Sequence, residues 1–177
     1  MASLGMFLEG AAITTALTVN PASTPEYPNP PFTPGTRLHG TEGGDFIFVK
    51  LAASQTIAAG DWVYVSSTNN SFVVTSLANA AKALKGMVCG VAMAAATSGT
   101  TSYLYIWIQV GGYNASSNVA TSSAANADLH TSATGGRLSG TGVGGTSATV
   151  TGVVGLATAA SNTAATMLNN PTIGAAD

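Results

Sequence analysis

The sequence predicts an all-β protein: a small β-sandwich or barrel with one short helix and an extended Pro-rich N-terminal arm. Three observations predict this class. Short segments rich in β-branched and aromatic residues follow one another closely, separated by Gly, Ser and Asn. Only one short segment has helical character, so the crossover helices of parallel βαβ units are missing. Six of the seven prolines lie between Pro21 and Pro34.

The arm is predicted to span residues 1–43. Within it, Pro25–Pro34 cannot form a helix or a central strand, and closely spaced prolines favour extended polyproline II. Residues 13–19 have β-branched character suited to pairing with a sheet edge. A tail without contacts is one interpretation of the arm. The other interpretation is a partner-binding arm, and it is favoured because aromatic residues on a preformed extended segment can anchor that segment to a partner. The candidate contact residues are Tyr27, Pro30, Pro31 and Phe32.

The remaining residues, 44–177, form the predicted β-rich domain. Alanine-rich residues 77–85 are the only candidate helix and span about two turns, which need packing support. Strands are predicted where apolar, β-branched and aromatic residues concentrate between turn residues: Asp45–Leu51, Trp62–Val65, Ser71–Thr75, Met87–Met93 and Tyr103–Val110, then more weakly Asn118–Thr121, Asp128–Thr131, Ala148–Leu156 and Ala164–Leu168.

The segment Tyr103–Val110 alternates most cleanly. Its even-numbered residues are apolar and define one face. The other face carries a stripe of aromatic residues, which either stacks on sugar rings or packs beneath another strand or a partner. The candidate contact face consists of Tyr103, Tyr105 and Trp107.

The two halves of the domain, residues 44–112 and 113–171, have similar sequence features. Each half contains an Asp before a strand, then a Gly-containing strand of small residues, in the same order and at nearly the same offset. Degenerate duplication explains this order, and coincidence in an Ala-, Gly- and Thr-rich chain is the alternative. If the halves are duplicates, Gly90 and Gly155 mark a strand bend or a close backbone approach.

Charge and residue counts exclude several classes. Charged residues make up 7% of the chain, against about 25% in an ordinary soluble domain, and the net charge is −2. Five basic residues neutralise few phosphates, so nucleic-acid binding is not expected. One Cys and two His exclude a disulfide framework and a Cys/His zinc site. The longest apolar stretch, 87–96, is about half a membrane span, and the first residues lack the positive region of a signal peptide.

The sparse charge favours a chain whose surface is covered by partners in a large assembly. No catalytic residue, metal, cofactor or small-molecule substrate is predicted. A hydrolase triad of His130 with Asp61 or Asp128 lacks a Gly-x-Ser-x-Gly nucleophile motif. The glycine-rich stretch 140–145 lacks the Lys of a phosphate loop. Cys89, among apolar neighbours, is expected to be a buried, unreactive thiol.

Several short motifs occur in a characteristic order between about residues 40 and 170. A Gly-Asp entry into a strand comes first, and a Gly-x-x-Gly-x-Ala strand and an aromatic-Val-Gly-Gly strand follow. A Gly-Gly turn and a second Gly-x-x-Gly-x-Ala strand complete the series. These motifs are Ala58–Val65, Gly86–Ala92, Ile106–Tyr113, Leu129–Leu138 and Gly152–Ala160.

In this order of motifs the sequence resembles the head decoration (capsid cement) proteins of tailed bacteriophages; the Pro-rich arm departs from the shortest members. The resemblance implies a non-enzymatic virion protein, made in the host cytoplasm and bound to the outer capsid surface. It implies contact with the major capsid protein and self-association, often as a homotrimer, that bridges neighbouring capsomers. The alternative hypothesis is a carbohydrate-binding or adhesive β module of a phage fibre or cell-surface protein.

Overall fold

A computed structural model describes residues 17–19, 30, 32–40, 43–66, 72–78, 84–99, 103–121, 123–142 and 147–176. These residues form β-strands and connecting turns, which confirms the all-β class. The strands are β1 (Leu17–Val19), β2 (Arg37–His39), β3 (Asp45–Leu51), β4 (Thr56–Ile57), β5 (Trp62–Ser66), β6 (Val73–Ser76), β7 (Cys89–Ala92), β8 (Ala96–Thr97), β9 (Tyr103–Asn118), β10 (Leu129–Thr131), β11 (Leu138–Ser139), β12 (Ala148–Gly155) and β13 (Thr163–Ala176).

Five strands close into a β-barrel in the order β3-β6-β5-β7-β9, with β9 pairing back onto β3. The β3–β6 pair is parallel and the other four pairs are antiparallel. The alternation predicted for this strand is confirmed over residues 104–110, because the even-numbered side chains there point into the barrel. Each buried aliphatic side chain contributes about 1.5–3 kcal/mol to folding. The barrel interior includes Ile47, Val49, Val63, Val74, Leu104, Ile106, Ile108 and Val110.

A second strand group continues from the barrel in the order β9-β13-β12-β10-β11. All four pairs in it are antiparallel, and an isolated parallel bridge between Val119 and Leu138 links the end of β9 to β11. The strand order β6-β5-β7-β9 in the barrel thus has a counterpart in β11-β10-β12-β13. This repetition of topology accords with the duplication suggested by the sequence.

Gly90 and Gly155, which occupy corresponding positions in the sequences of the two halves, have different surroundings in the structure. A Cβ on Gly90 would lie 2.6 Å from the carbonyl oxygen of Gln109, so the close backbone approach expected there is confirmed. Gly155 ends β12, and a Cβ there would come no nearer than 3.9 Å to another residue. Gly90 pairs with Val63, the second residue after Asp61, whereas His130, the second residue after Asp128, pairs with Thr149. At Gly155, of the two predicted alternatives, the structure shows no close approach to the Cβ position like that at Gly90.

Strand β9 belongs to both strand groups, and the sequence-based boundary at 112/113 falls inside it. Gly112 has φ +82°, a backbone conformation that favours glycine, and a Cβ there would clash with the carbonyl oxygen of Gly43. The strand turns at this glycine without ending, so β3 pairs with it before the turn and β13 pairs mainly after it.

A second apolar core lies between the barrel and the second strand group. Trp62 and Cys89 on the outer side of the barrel pack with Leu129, Leu138 and Ile173 of the second group. The two groups therefore share one buried core and do not form independent domains.

The predicted helix at 77–85 falls mainly on residues 79–83, which lie outside the described residues. At its ends, Leu77 and Ala78 continue from β6 without helical structure, Leu84 has 3₁₀-helical conformation, and residues 85–86 form a turn. Residues 67–71, between β5 and β6, also lie outside the described residues, and the two strands on either side pair antiparallel.

Candidate interaction surface

The predicted arm contributes two strands to the sheet of its own chain. Leu17–Val19 pairs antiparallel with residues 103–105 of β9, which accords with the β-branched pattern of residues 13–19. Arg37–His39 pairs antiparallel with the start of β3. Between these strands, Tyr27 and Pro31 lie outside the described residues, and Pro30 is half-buried.

Phe32 joins the arm to the outer wall of the barrel. Its ring centroid lies 5.5 Å from that of Phe48 and 5.4 Å from that of Trp107, both in edge-on geometry. The Phe48 ring stacks on Tyr105 with an interplanar angle of 8° and a centroid distance of 5.5 Å. Phe32, Phe46, Phe48, Tyr105 and Trp107 together form an aromatic cluster on the outside of β3 and β9.

Backbone hydrogen bonds fix the arm beside this aromatic cluster. The Gly35 N–H donates to the Phe48 carbonyl at 2.7 Å, and the Phe48 N–H donates to the Thr36 carbonyl at 2.9 Å. Residues 32–39 are thus part of the folded domain, although the sequence placed them in an appendage that ended at residue 43.

The candidate aromatic contact face is covered. Tyr105 is 7% exposed and Trp107 is 2% exposed, so neither ring offers a face to a sugar in the folded chain. The side chain of Tyr103 lies outside the described residues. For Tyr105 and Trp107, the structure corresponds to the packing interpretation of the stripe, with the arm as the covering segment.

The Gly-Asp motif and the Gly-Gly turn meet at the junction of the two strand groups. The Asp61 carboxylate accepts hydrogen bonds from the Ala58 N–H at 2.7 Å and from the Asn118 side-chain amide at 2.5 Å. The first bond closes the turn before β5, and the second ties that turn to the end of β9. Asp61 therefore has a structural role that accounts for the Gly-Asp motif.

The Gly-Gly turn of the second half docks on the same junction. The Trp62 N–H donates to the Gly136 carbonyl, and the Gly136 N–H donates to the Leu77 carbonyl, both at 2.9 Å. Gly136 has φ +73°, and a Cβ there would lie 2.6–2.9 Å from the Asp61 carboxyl atoms. Only glycine allows the turn to approach this carboxylate so closely.

A buried amide network supports the turn in β9. The Gln109 side chain donates to the carbonyl oxygens of Gly111 at 3.0 Å and Tyr113 at 2.9 Å, and accepts from the Asn114 amide at 2.8 Å. Beside it lies a shallow cavity of about 280 Å³, lined by small residues together with Met93 and Asn114. None of its lining residues is charged, so the cavity lacks the converging titratable groups of a catalytic site.

The titratable candidates occupy separate positions. The His39 Nδ1 and the Asp45 carboxylate are hydrogen-bonded across β2 and β3, and the His39 side chain is largely exposed. His130 lies beside the Thr149 hydroxyl at 3.4 Å in the second strand group. In the described ranges, no three His, Cys, Asp or Glu side chains are grouped as metal ligands.

Cys89 is fully buried, and burial raises the pKa of its thiol to about 12. A thiol with so high a pKa forms little thiolate at neutral pH and is a poor nucleophile. The expectation of an unreactive buried cysteine is confirmed by its position.

Charge is distributed very unevenly over the sheet. Residues 103–127 and 138–176 contain no Asp, Glu, Lys or Arg. These stretches supply β9, β12 and β13, which are neighbours in the second strand group. Three adjacent strands therefore form an uncharged layer, and one charge meets it: the Arg37 guanidinium of β2 donates to the Asn170 side chain of β13 at 3.3 Å.

None of the described segments is a helix with the length and hydropathy required to cross a membrane. No protein-family model matches the sequence, and a search of curated proteins finds no relative.

Proposed function

We propose that the chain is a non-enzymatic structural protein of a phage virion. In this proposal it binds the major capsid protein on the outer surface of an icosahedral head as a homotrimer and stabilises the contacts between capsomers.

The uncharged layer of β9, β12 and β13 is the observation that carries the proposal. Burying a charge in an interface is costly unless it is paired, and an uncharged face avoids this cost. An isolated soluble domain usually keeps charges of both signs dispersed over its surface. A face without them suits permanent cover by neighbouring subunits, and many copies on one shell make modest individual contacts sufficient.

The position of the arm divides its candidate residues into two groups. Phe32 anchors the arm to the barrel of its own chain through the aromatic cluster. Tyr27, Pro30 and Pro31 lie in the sequence between the two arm strands β1 and β2. The proposal assigns the capsid contact to these three residues, because an extended proline segment with an aromatic residue loses little entropy on binding.

A binding assay on undecorated heads tests this assignment. Deletion of residues 1–43 is unsuitable, because it also removes β1, β2 and Phe32 from the folded domain. The sharper variant is Tyr27→Ala, with Thr134→Ser on an exposed turn as the control. We expect Tyr27→Ala to reduce occupancy at limiting protein and Thr134→Ser to leave it unchanged. If the wild-type chain fails to bind heads, the proposed function is wrong; if only Tyr27→Ala binds normally, the arm assignment is wrong.

The carbohydrate-binding alternative has less support, because Tyr105 and Trp107 are covered by the arm. A glycan array with the wild-type chain and Trp107→Ala distinguishes the two functions. A specific sugar signal that Trp107→Ala abolishes, while the variant stays folded, would favour the alternative.

A further inference from the structure

Arg137 lies in the turn before β11 and is the one Lys or Arg between positions 103 and 176. The same stretch contains a single acidic residue, Asp128. It supplies β9 and all the strands of the second group, β10 to β13. A single permanent cation is therefore retained in a part of the fold that is otherwise almost uncharged.

The backbone around Arg137 is held firmly in place. The Gly136 carbonyl accepts a hydrogen bond from the Trp62 N–H at 2.9 Å, and the Arg137 carbonyl accepts one from the Ser132 hydroxyl at 3.0 Å. The next side chain, Leu138, is fully buried in the core. A side chain on a backbone fixed in this way loses less conformational freedom on binding than one on a free loop.

The guanidinium of Arg137 has no partner within the ranges that the structure describes. The residue is half-buried, and its Nε is completely buried without a hydrogen-bond acceptor. The guanidinium of Arg37, in contrast, donates to the Asn170 side chain. Arginine is seldom buried unless it is paired, because a charge that loses hydration without compensation is costly. The single chain therefore carries this cost without a matching contact.

No carboxylate among the described residues forms an ion pair with Arg137. The Asp61 carboxylate lies beside the Gly-Gly turn, but both of its oxygens already accept hydrogen bonds from other groups. Asp128 precedes β10, whereas Arg137 lies beyond the opposite end of that strand, because the last residue of β10, Thr131, pairs with Leu138. The described part of the chain thus supplies no counter-charge to this cation.

The chemistry of a guanidinium identifies the group that it binds best. Its terminal nitrogens present parallel N–H donors, and these match the two oxygens of a carboxylate. A neutral carbonyl would accept a hydrogen bond but would leave the positive charge uncompensated. Arginine is also enriched among the few residues that carry most of the binding energy of protein interfaces.

We propose that the Arg137 guanidinium binds a carboxylate of the major capsid protein. The identity of the partner rests on the proposed function, whereas the unpaired guanidinium is a property of the single chain. One charged pair in surroundings with few other charges fixes the register of the two proteins, because no second charge nearby can take its place.

Binding of the full-length protein to undecorated heads, measured over a range of protein concentrations, tests the contact. We expect Arg137→Met to raise the concentration for half-saturation by about tenfold or more. Arg137→Lys keeps the charge without the paired donors and should have a smaller effect. Lys85→Met removes one positive charge from an exposed residue and is the matched control, which should bind like the wild type.

A further variant locates the carboxylate. Asp128 is exposed, so a second copy of this chain could also offer a carboxylate to Arg137. We expect Asp128→Asn to bind heads like the wild type, because the proposed carboxylate belongs to the capsid protein. A loss equal to that of Arg137→Met would place the carboxylate on a second copy and overturn the proposal.

Urea denaturation of the free chain separates a binding role from a structural one. Arg137→Met keeps an apolar stem and removes an unpaired, half-buried charge, so no stabilising ion pair is lost. We expect its unfolding midpoint to equal or exceed that of the wild type. A midpoint below those of both the wild type and Lys85→Met would show that the guanidinium stabilises its own fold and would overturn the proposal.

The head-binding outcomes distinguish this contact from the proposed function. If the wild type and Arg137→Met bind heads equally well, the proposed function stands and the Arg137 contact is wrong. If Lys85→Met loses as much binding as Arg137→Met, general attraction by positive charge explains the loss, and the specific contact is again wrong. If the wild type does not bind heads, the proposed function and the contact are both wrong.

Discussion

Removing the Phe32 side chain tests whether the arm is held to the barrel through its aromatic contact. Phe→Ala substitutions at fully buried positions cost about 3–5 kcal/mol. Phe32 is half-buried, and its ring meets Phe48 and Trp107 edge-on. Because a half-buried ring loses about half of the contacts of a fully buried one, we expect Phe32→Ala to lower the free energy of unfolding by about 2 kcal/mol.

Urea denaturation followed by tryptophan fluorescence measures this loss, and acrylamide quenching reports whether the Trp107 ring has become accessible. A Trp62→Phe background leaves Trp107 as the fluorophore. Phe32→Leu should lose about half as much stability as Phe32→Ala, since it keeps apolar contact without the ring edges. The control is Thr33→Ala, an exposed neighbour expected to change stability by less than about 0.5 kcal/mol. Equal stability and equal quenching in Phe32→Ala and the control would show that the Phe32 ring does not hold the arm to the barrel.

Two further substitutions test the junction and the buried thiol. Gly136→Ala should destabilise the fold by about 1–3 kcal/mol through backbone strain and contact with Asp61, measured by urea denaturation. Gly43→Ala has a similar φ of +79° but free space for the Cβ, so it should cost less, and an equal cost would contradict the contact with Asp61. Burial raises the pKa of Cys89 from about 9.0 to about 12, so the unfolded state loses this proton at lower pH than the folded state. The free energy of unfolding should therefore fall between pH 9 and pH 12, and less steeply in Cys89→Ala; parallel pH profiles of the two proteins would contradict the effect.

Local patterns were sufficient to predict most of the strands. Asp45–Leu51 coincides with β3, and residues 104–110 take the predicted inward and outward orientations, because alternation directly reports which face of a strand is buried. One error in strand length occurs at Gly111-Gly112. Two glycines in sequence resemble a break, but here Gly112 turns the strand and pairing continues to Asn118.

The arrangement of the arm and the junction was less accessible to sequence reasoning. The proline content of residues 21–34 suggests separation from the core, but whether Phe32 meets another chain or its own barrel depends on tertiary packing. Asp61 and Asn118 are far apart in sequence, so their hydrogen bond follows from the fold and not from any local motif. Similarly, the alignment of Tyr113, Met167 and Val154 across β9, β13 and β12 depends on strand registers that β-bulges shift, and local sequence patterns do not reveal these shifts.

The copy number of this chain in purified phage heads is the most direct test of the proposed capsid role. Quantitative mass spectrometry gives the ratio of the chain to the major capsid protein, and antibody labelling in electron micrographs gives its position. From the proposed capsid role we expect a high, fixed ratio that corresponds to whole trimers. We also expect the antibody label to lie over the outer surface of the head. Heads without the chain, or label confined to tails or fibres, would contradict it.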